Sequence, residues 1–333
     1  MKVAVIGAGS WGTALANVLG ENGHNVGLWA RRSSVVQSIN ADHVNPRYLS
    51  DVLLSENVVA TLSHQDAVLR ARAALVVTPS SMVRGVARAL ADCVDQSFPV
   101  LICSKGVEAE TGLLSTQVFT QEMGNPERFA VLSGPNHAEE IIKGIPAGTV
   151  IASECPDTSQ LFQELLACST LRTYVSQDVK GVQLCGAYKN IIAIAVGAAY
   201  GLGFGDNTAS LLLTRGLAEM SRLIAAAGGD PLTCLGLAGT GDMVATCMSR
   251  HSRNRTFGEK LAAGMTLDEY KDQTHMVVEG ALACKTIQTL AERHHVELPI
   301  ANIVRGIVWE GQKMEDAAEL LLNRELKQEF YGL

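Results

Sequence analysis

The sequence predicts an α/β fold, a doubly wound parallel sheet followed by an all-α C-terminal domain, and three observations carry that reading. Short β-branched runs alternate with helical patterns through the first half, the signature of right-handed βαβ units. A GxGxxG loop stands at Gly7, Gly9 and Gly12, directly after an apolar run and ahead of the helical segment TALANVLGENG. From about Val182 onward the β-branched runs stop, and segments rich in Ala, Leu, Met and Glu at helical spacing take over. The division expected is a Rossmann-like NAD(P)-binding domain over 1–181 and an all-helical substrate and catalytic domain over 182–333. With no Pro- or Ser-rich linker near Asp178 to Val182, the two are expected to pack directly and to hold the chemistry in the cleft between them.

The expected strands are Lys2–Ile6, Asn25–Trp29, Ala74–Val77, Pro99–Cys103 and Phe129–Leu132, with Gly148–Ala152 and Leu171–Val175 completing this half. Several end in small or polar residues, in GAGSWG, ARRSS, TPSS, SKG and SGPN, and ligands of open α/β sheets bind at that edge. In the second half Asp206, Ser252 and Glu279 stand where helices open.

Composition bounds the function. The chain has 333 residues, 47% apolar and 18% charged, enough for two packed domains and unlike a disordered chain. Its net charge of −7 gives no electrostatic footprint for nucleic acid or anionic lipid, so an anionic ligand must be held by a few local cations. Eight cysteines without a CxxC pair are expected as reduced thiols, and with no secretory signal this implies a cytoplasmic location. The longest apolar run, Ile191 to Phe204, carries three glycines and falls short of the about 20 residues that span a bilayer, so no membrane span is expected. His294 and His295 have no carboxylate or cysteine at ligand spacing, and no metal site is expected.

The glycine loop permits a tight turn and a close approach of backbone to a pyrophosphate, while the helix start adds amide donors and a positive dipole end. Folds that prefer NAD place an acidic residue at the end of the second strand, but here Arg31 and Arg32 stand in that neighbourhood. Guanidinium groups suit a 2′-phosphate, so NADP(H) is favoured and NAD(H) possible; a solvated helix start is the competing reading.

In GVQLCGAYKNIIAIAVGAAYG a single Lys189 interrupts an otherwise apolar helix. Burial disfavours an ammonium, and lowering its pKa by about 2 corresponds to roughly 3 kcal/mol. Such an amine takes a proton from an alcohol as hydride leaves and returns one to a ketone; a lysine snorkelling from a helix end is the alternative. Asp242, between Gly241 and the rest of LAGTGDMVATCMS, either orients a substrate hydroxyl or the lysine, or caps a helix. Ser252, Arg253, Asn254 and Arg255 open a helix where donors, free amides and dipole converge on one anion, an arrangement suited to an ester phosphate; a solvated basic face is the competing reading. Lys105 follows a strand at the ligand edge, and Gly134, Pro135 and Asn136 form a tight turn there.

Taken together, GAGSWGTALA, the SKG turn, SGPNHA, GAYKNIIAIAVG, GTGD and SRNR followed by FG resemble the NAD(P)-dependent glycerol-3-phosphate dehydrogenase family nearly end to end. The resemblance implies interconversion of sn-glycerol 3-phosphate and dihydroxyacetone phosphate, the reductive direction supplying glycerophospholipid biosynthesis. It implies Lys189 as general acid/base, and Ser10, Trp11, Arg31, Arg32, Ala138, Val277 and Glu279 beside the dinucleotide. Lys105 and Arg253 would touch both ligands, with Gly134, Asn136, Asp242, Ser252 and Asn254 on the substrate. Family members commonly carry Ser or Thr where this chain has Asn136, Phe at His137 and Glu at Gln183. A reductase of small 2-oxo acids and a non-enzymatic NADP(H) sensor are the alternatives. The Ala- and Leu-rich helices of the second half are expected to form a homodimer.

Overall fold

The computed structural model describes residues 1–274, 277–323 and 328–329. They divide into two units, one made of 1–104 and 115–179, the other of 105–114 and the described residues from 180 onward. The ten-residue excursion Lys105–Leu114 thus groups with the helical half, although the chain around it belongs to the sheet.

The first unit contains strands β1 (Lys2–Ile6), β2 (Asn25–Trp29), β3 (Val58–Thr61), β4 (Ala74–Val76), β5 (Val100–Ile102), β6 (Phe129–Ser133), β7 (Ala147–Ala152) and β8 (Leu171–Ser176). Among the described residues they form an eight-stranded sheet in the order β3-β2-β1-β4-β5-β6-β7-β8. Its helices are α1 (Ser10–Glu21), α2 (Ser33–Asp42), α3 (His64–Val68), α4 (Val83–Ala91), α5 (Ser115–Met123), α6 (Ala138–Ile141) and α7 (Pro156–Leu166). Val3, Val5, Leu28, Leu75 and Leu101 from the central strands pack with Leu15 and Leu19 of α1 and Phe162 of α7 in one apolar core. Strands covered on both faces read as continuous apolar runs, which is why β1 and β4 were visible in the sequence.

Two features depart from the expected sheet. β3 was not anticipated: VVAT is a four-residue edge strand with Val59 60% exposed, and so short an apolar run does not by itself mark a strand. β7 runs antiparallel to β6, pairing Val131 with Ala152. A parallel return needs a crossover long enough to carry the chain back along the sheet. Between Ser133 and Ala147 there is only the single turn α6, so the strand reverses in place.

Strand order reverses between β1 and β4, and their carboxyl ends lie level, with Ile6 paired to both Trp29 and Val76. Ligands of open α/β sheets bind at such a switch point.

The second unit is helical: α8 (Val179–Gly201), α9 (Asp206–Ala226), α10 (Asp242–Met248), α11 (Arg253–Ala262), α12 (Leu267–Thr274), α13 (Glu279–His294), α14 (Pro299–Glu310) and α15 (Met314–Leu322). Helix α8 is buried on every side, with Ala187, Tyr188, Ile191, Ile192 and Val196 inaccessible to solvent, as a helix apolar all round must be. By length and composition α8 is apolar enough to cross a membrane, but its apolar window lies wholly inside the protein, where it serves as the core helix. A side chain at Gly258 of α11 would run into the Ile194 carbonyl of α8, so the two backbones meet without intervening side chains.

Glu219 of α9 is 3% exposed. It accepts the Tyr188 hydroxyl from α8 and the Ile300 amide at 2.9 Å, capping α14 where Leu298 has no side-chain oxygen to do so. Burial pushes its carboxyl from 4.5 up to about 7, against the opposing hydrogen bonds from Tyr188 and Ile300 and the Arg222 charge. Folding therefore favours the protonated form, and the stabilisation, on the order of 3 kcal/mol, is complete below about pH 4.5 and lost as the pH rises through about 7. Calorimetry between pH 5 and pH 8 should show Tm falling as the pH rises, and Glu219→Gln, neutral throughout, should flatten that fall; an unchanged slope in the variant refutes the assignment.

Candidate active site

In the first unit the loop from β1 to α1 has the geometry its glycines predict. Gly7 adopts φ +124°, and a side chain there would collide with the Val77 carbonyl beyond β4, while one at Gly12 would collide with the Gly7 carbonyl. Gly9, by contrast, faces open space, with nothing within 4 Å of where a Cβ would stand. Gly9 is also the N-cap of α1, and no side chain caps the helix, so the amides of its first turn are left for a ligand. Around this loop the Trp11 Nε1 and Thr78 Oγ1 atoms are buried without a hydrogen-bond partner. Orphaned donors beside an open cradle and an uncapped helix start fit a dinucleotide pyrophosphate with its attached groups.

Ser10 opens α1, and Arg31 and Arg32 follow β2 on the exposed surface, with Arg32 as N-cap of α2. Asn45, fully buried, was not anticipated: its amide donates to the Ala8 carbonyl at 3.1 Å and to Thr13 Oγ1 at 2.8 Å, and its Oδ1 accepts the Arg47 and Tyr48 amides. It buttons residues 45–48 onto the glycine loop. Gly134 has φ +156° and lies against the Thr149 backbone. Asn136 accepts from Thr149 Oγ1 at 3.0 Å and donates to the Gly148 carbonyl, so the turn after β6 is tied to β7, and Ala138 begins α6 beside it.

In the second unit Lys189, 6% exposed, and Asp242, 2% exposed, meet as a buried ion pair. Lys189 Nζ also donates to Thr246 Oγ1 at 2.8 Å, and Lys105 Nζ donates to the other Asp242 oxygen at 2.7 Å. Asp242 stands in the first turn of α10 and Thr246 one turn later on the same face, which delivers both to one amine. Burial lowers the Lys189 amine from 10.5 to about 8; Asp242 opposes this by its charge and hydrogen bond, Lys105 reinforces it, and the Cys247 thiol opposes it weakly. For Asp242 burial raises the carboxyl, but the charges of Lys105 and Lys189 outweigh it and hold the group below its ordinary value.

Ser252 is the N-cap of α11, its hydroxyl accepting from the Arg255 amide at 3.3 Å, and Arg253 is exposed at the first position. The first amides of this ten-residue helix, flanked by that arginine, suit an anion. Asn254 is buried and committed on both sides: it donates to Asn190 Oδ1 at 2.9 Å and accepts the Gly280 amide at 2.9 Å. It therefore ties α8 next to Lys189 to the first turn of α13, where Glu279 sits with exposed Val277 just ahead. Of the sequence-predicted residues, Lys105, Lys189 and Asp242 converge directly, and Asn254 links Ser252 and Arg253 to Val277 and Glu279. Thr246 and Asn190 were missed. The i, i+4 spacing of Thr246 from Asp242 was a usable signal, whereas the partner of Asn190 was not, since it lies 64 residues away.

Residues 2–159 match the family model described as NAD-dependent glycerol-3-phosphate dehydrogenase N-terminus, and residues 178–319 match its C-terminus counterpart. A glycerol-3-phosphate dehydrogenase (NAD(P)+) of Chlorobium phaeobacteroides is 42% identical over 333 residues, covering 99% of this chain and 100% of the relative. One from Corynebacterium diphtheriae is 44% identical over 332 residues, covering 99% and 100%. The crystal structure of glycerol-3-phosphate dehydrogenase from Coxiella burnetii superposes with a TM-score of 0.92 at 35% identity, covering 97% of this chain and 99% of that one.

Replacing Asp242 by Asn removes the counter-charge that holds the Lys189 proton and leaves the Lys105 charge opposing it. In a ¹⁵N NMR titration the Lys189 midpoint should move from about 8 toward acid. A midpoint that stays in place or rises contradicts this arrangement of charges.

Proposed function

The chain belongs to the NAD-dependent glycerol-3-phosphate dehydrogenase family, and we propose that it interconverts sn-glycerol 3-phosphate and dihydroxyacetone phosphate with NADP(H) favoured over NAD(H). The observation that carries the proposal is Lys189, a buried amine held by Asp242 and Thr246 and poised near pH 8.

In the reductive direction the Lys189 ammonium donates its proton to the carbonyl oxygen, which becomes the secondary hydroxyl; in the oxidative direction the free amine takes that proton back. Asp242 orients the ammonium and steadies its charge, and Lys105, on the other carboxylate oxygen, adds a cation for an anionic substrate. The ester phosphate is held at the start of α11 by its free amides and Arg253, with Ser252 and Asn254 fixing the turn. The dinucleotide, when bound, supplies or accepts the hydride at the carbon bearing that oxygen. Gly7, Gly9 and Gly12, the uncapped start of α1 and Trp11 would hold its pyrophosphate side, and Arg31 with Arg32 its 2′-phosphate. We place the reaction in glycerophospholipid biosynthesis, in the cytoplasm, on a homodimer. Free thiols at all eight cysteines support the reducing compartment, and sedimentation at twice the chain mass is the check on assembly.

The deciding experiment follows NADPH absorbance with dihydroxyacetone phosphate as oxidant. Reduction needs the ammonium, so its rate should fall as the pH rises through about 8, while oxidation of glycerol 3-phosphate should rise over the same interval. Lys189→Met should lower turnover by about 10²- to 10⁴-fold with dinucleotide affinity intact. Undiminished turnover in that variant, or equal use of unphosphorylated dihydroxyacetone, would sink the proposal.

For cofactor choice, the double variant Arg31→Ala, Arg32→Ala should raise the KM for NADPH by about tenfold or more and leave that for NADH nearly unchanged. Equal losses with both dinucleotides would remove the two arginines from 2′-phosphate recognition.

A further inference from the structure

Asp242 is aimed by an unusual piece of backbone. The short 3₁₀ turn Pro231–Leu235 is capped by Asp230, whose carboxylate accepts the Leu232 amide at 2.9 Å. After Gly236 the chain makes a π-turn over Leu237–Gly241, closed by the Gly241 amide on the Gly236 carbonyl at 3.2 Å, and passes without a break into α10 at Asp242. A π-turn holds one residue more than an α-turn, so it rotates the residue that follows by about 100° about the helix axis. That rotation determines which way the Asp242 carboxylate faces.

The π-turn is seated on one atom, the carbonyl oxygen of buried Cys234. Gly239 lies so close to it that any side chain would collide. Thr240 Oγ1 donates to the same oxygen at 2.8 Å. We propose that Thr240 is a positioning residue: its hydroxyl, latched to the Cys234 carbonyl, fixes the π-turn and thereby the direction in which Asp242 meets Lys189 and Lys105. Thr240 itself touches neither lysine in the hydrogen-bond network of the site; it acts through Asp242, two residues on. The inference rests on the reading of Lys189 as acid and base.

The groups facing the Lys189 amine are Asp242, Lys105 and the Cys247 thiol, with Thr246 as a neutral partner. Asp242 raises the amine and Lys105 lowers it, while burial pushes the Cys247 thiol up to about 12 and keeps it neutral. Loosening the latch weakens the Asp242 contact and leaves the Lys105 repulsion, which moves the amine toward acid.

The test compares Thr240→Val, which keeps the shape and loses the donor, with Thr240→Ser, which keeps the donor. Each is read by the pH dependence of kcat for dihydroxyacetone phosphate reduction and by the ¹⁵N titration of Lys189. In Thr240→Val the midpoint should move about one pH unit toward acid, kcat should fall between about 10- and 100-fold, and the KM for NADPH should hold. Thr240→Ser should restore both readouts. A wild-type profile in folded Thr240→Val, or Thr240→Ser as impaired as the valine variant, overturns the proposal; should the valine variant not fold, Thr240→Ala gives the same reading. The NMR midpoint is independent of turnover, so an inactive wild-type protein would refute the proposed reaction and still leave the latch to be judged by its own shift.

Discussion

One constraint organises the second unit: an ammonium removed from water must keep a counter-charge within reach. Desolvating Lys189 costs several kcal/mol unless Asp242 lies against it, and Asp242 in turn is tolerable in the interior because two cations share it. Burial outweighs the carboxylate without overwhelming it. Burial drives the amine down, the carboxylate holds it up, and the remainder leaves it near 8. A pair with less burial would stay locked as a salt bridge, and a lone buried amine would shed its proton for good.

Keeping that balance requires precise placement of backbone as well as of charge. α8 is buried on all sides, and α11 packs onto it closely enough that Gly258 admits no side chain. Asn254 then reads the neighbourhood twice, through Asn190 on α8 and through the Gly280 amide on α13. The helix that carries the amine, the one whose start suits a phosphate and the one bearing Glu279 are thus fixed to each other by backbone contact and two hydrogen bonds.

Much of this was legible in the sequence where the signal is local. The glycine loop, the buried strands and the isolated lysine in an apolar helix each announce themselves within a few residues, because burial on all sides or a forced turn restricts the residues at that very spot. β3 escaped because a four-residue run with one face in solvent is too short to mark a strand by itself, and the reversal at β7 because strand direction depends on how much helix intervenes. Asn45, Asn190 and Glu219 escaped for a different reason. A buried polar side chain is intelligible only with its partners, and each of these has one that is distant in sequence, 32, 64 and 81 residues away.

The excursion Lys105–Leu114 bears on how such a chain could be cut or recombined. It leaves the sheet after β5 and is fastened among the helices, through Lys105 to Asp242 and through the Thr111 carbonyl, which accepts from Arg293 at 3.0 Å. An N-terminal half excised at a single point near residue 180 would carry away the excursion and leave its partners behind, Asp242 among them. Exchange of halves between relatives by one crossover near residue 180 would likewise set Lys105 from one parent against a carboxylate from the other. Lys105 and Asp242 thus form a matched pair although 137 residues of sequence separate them.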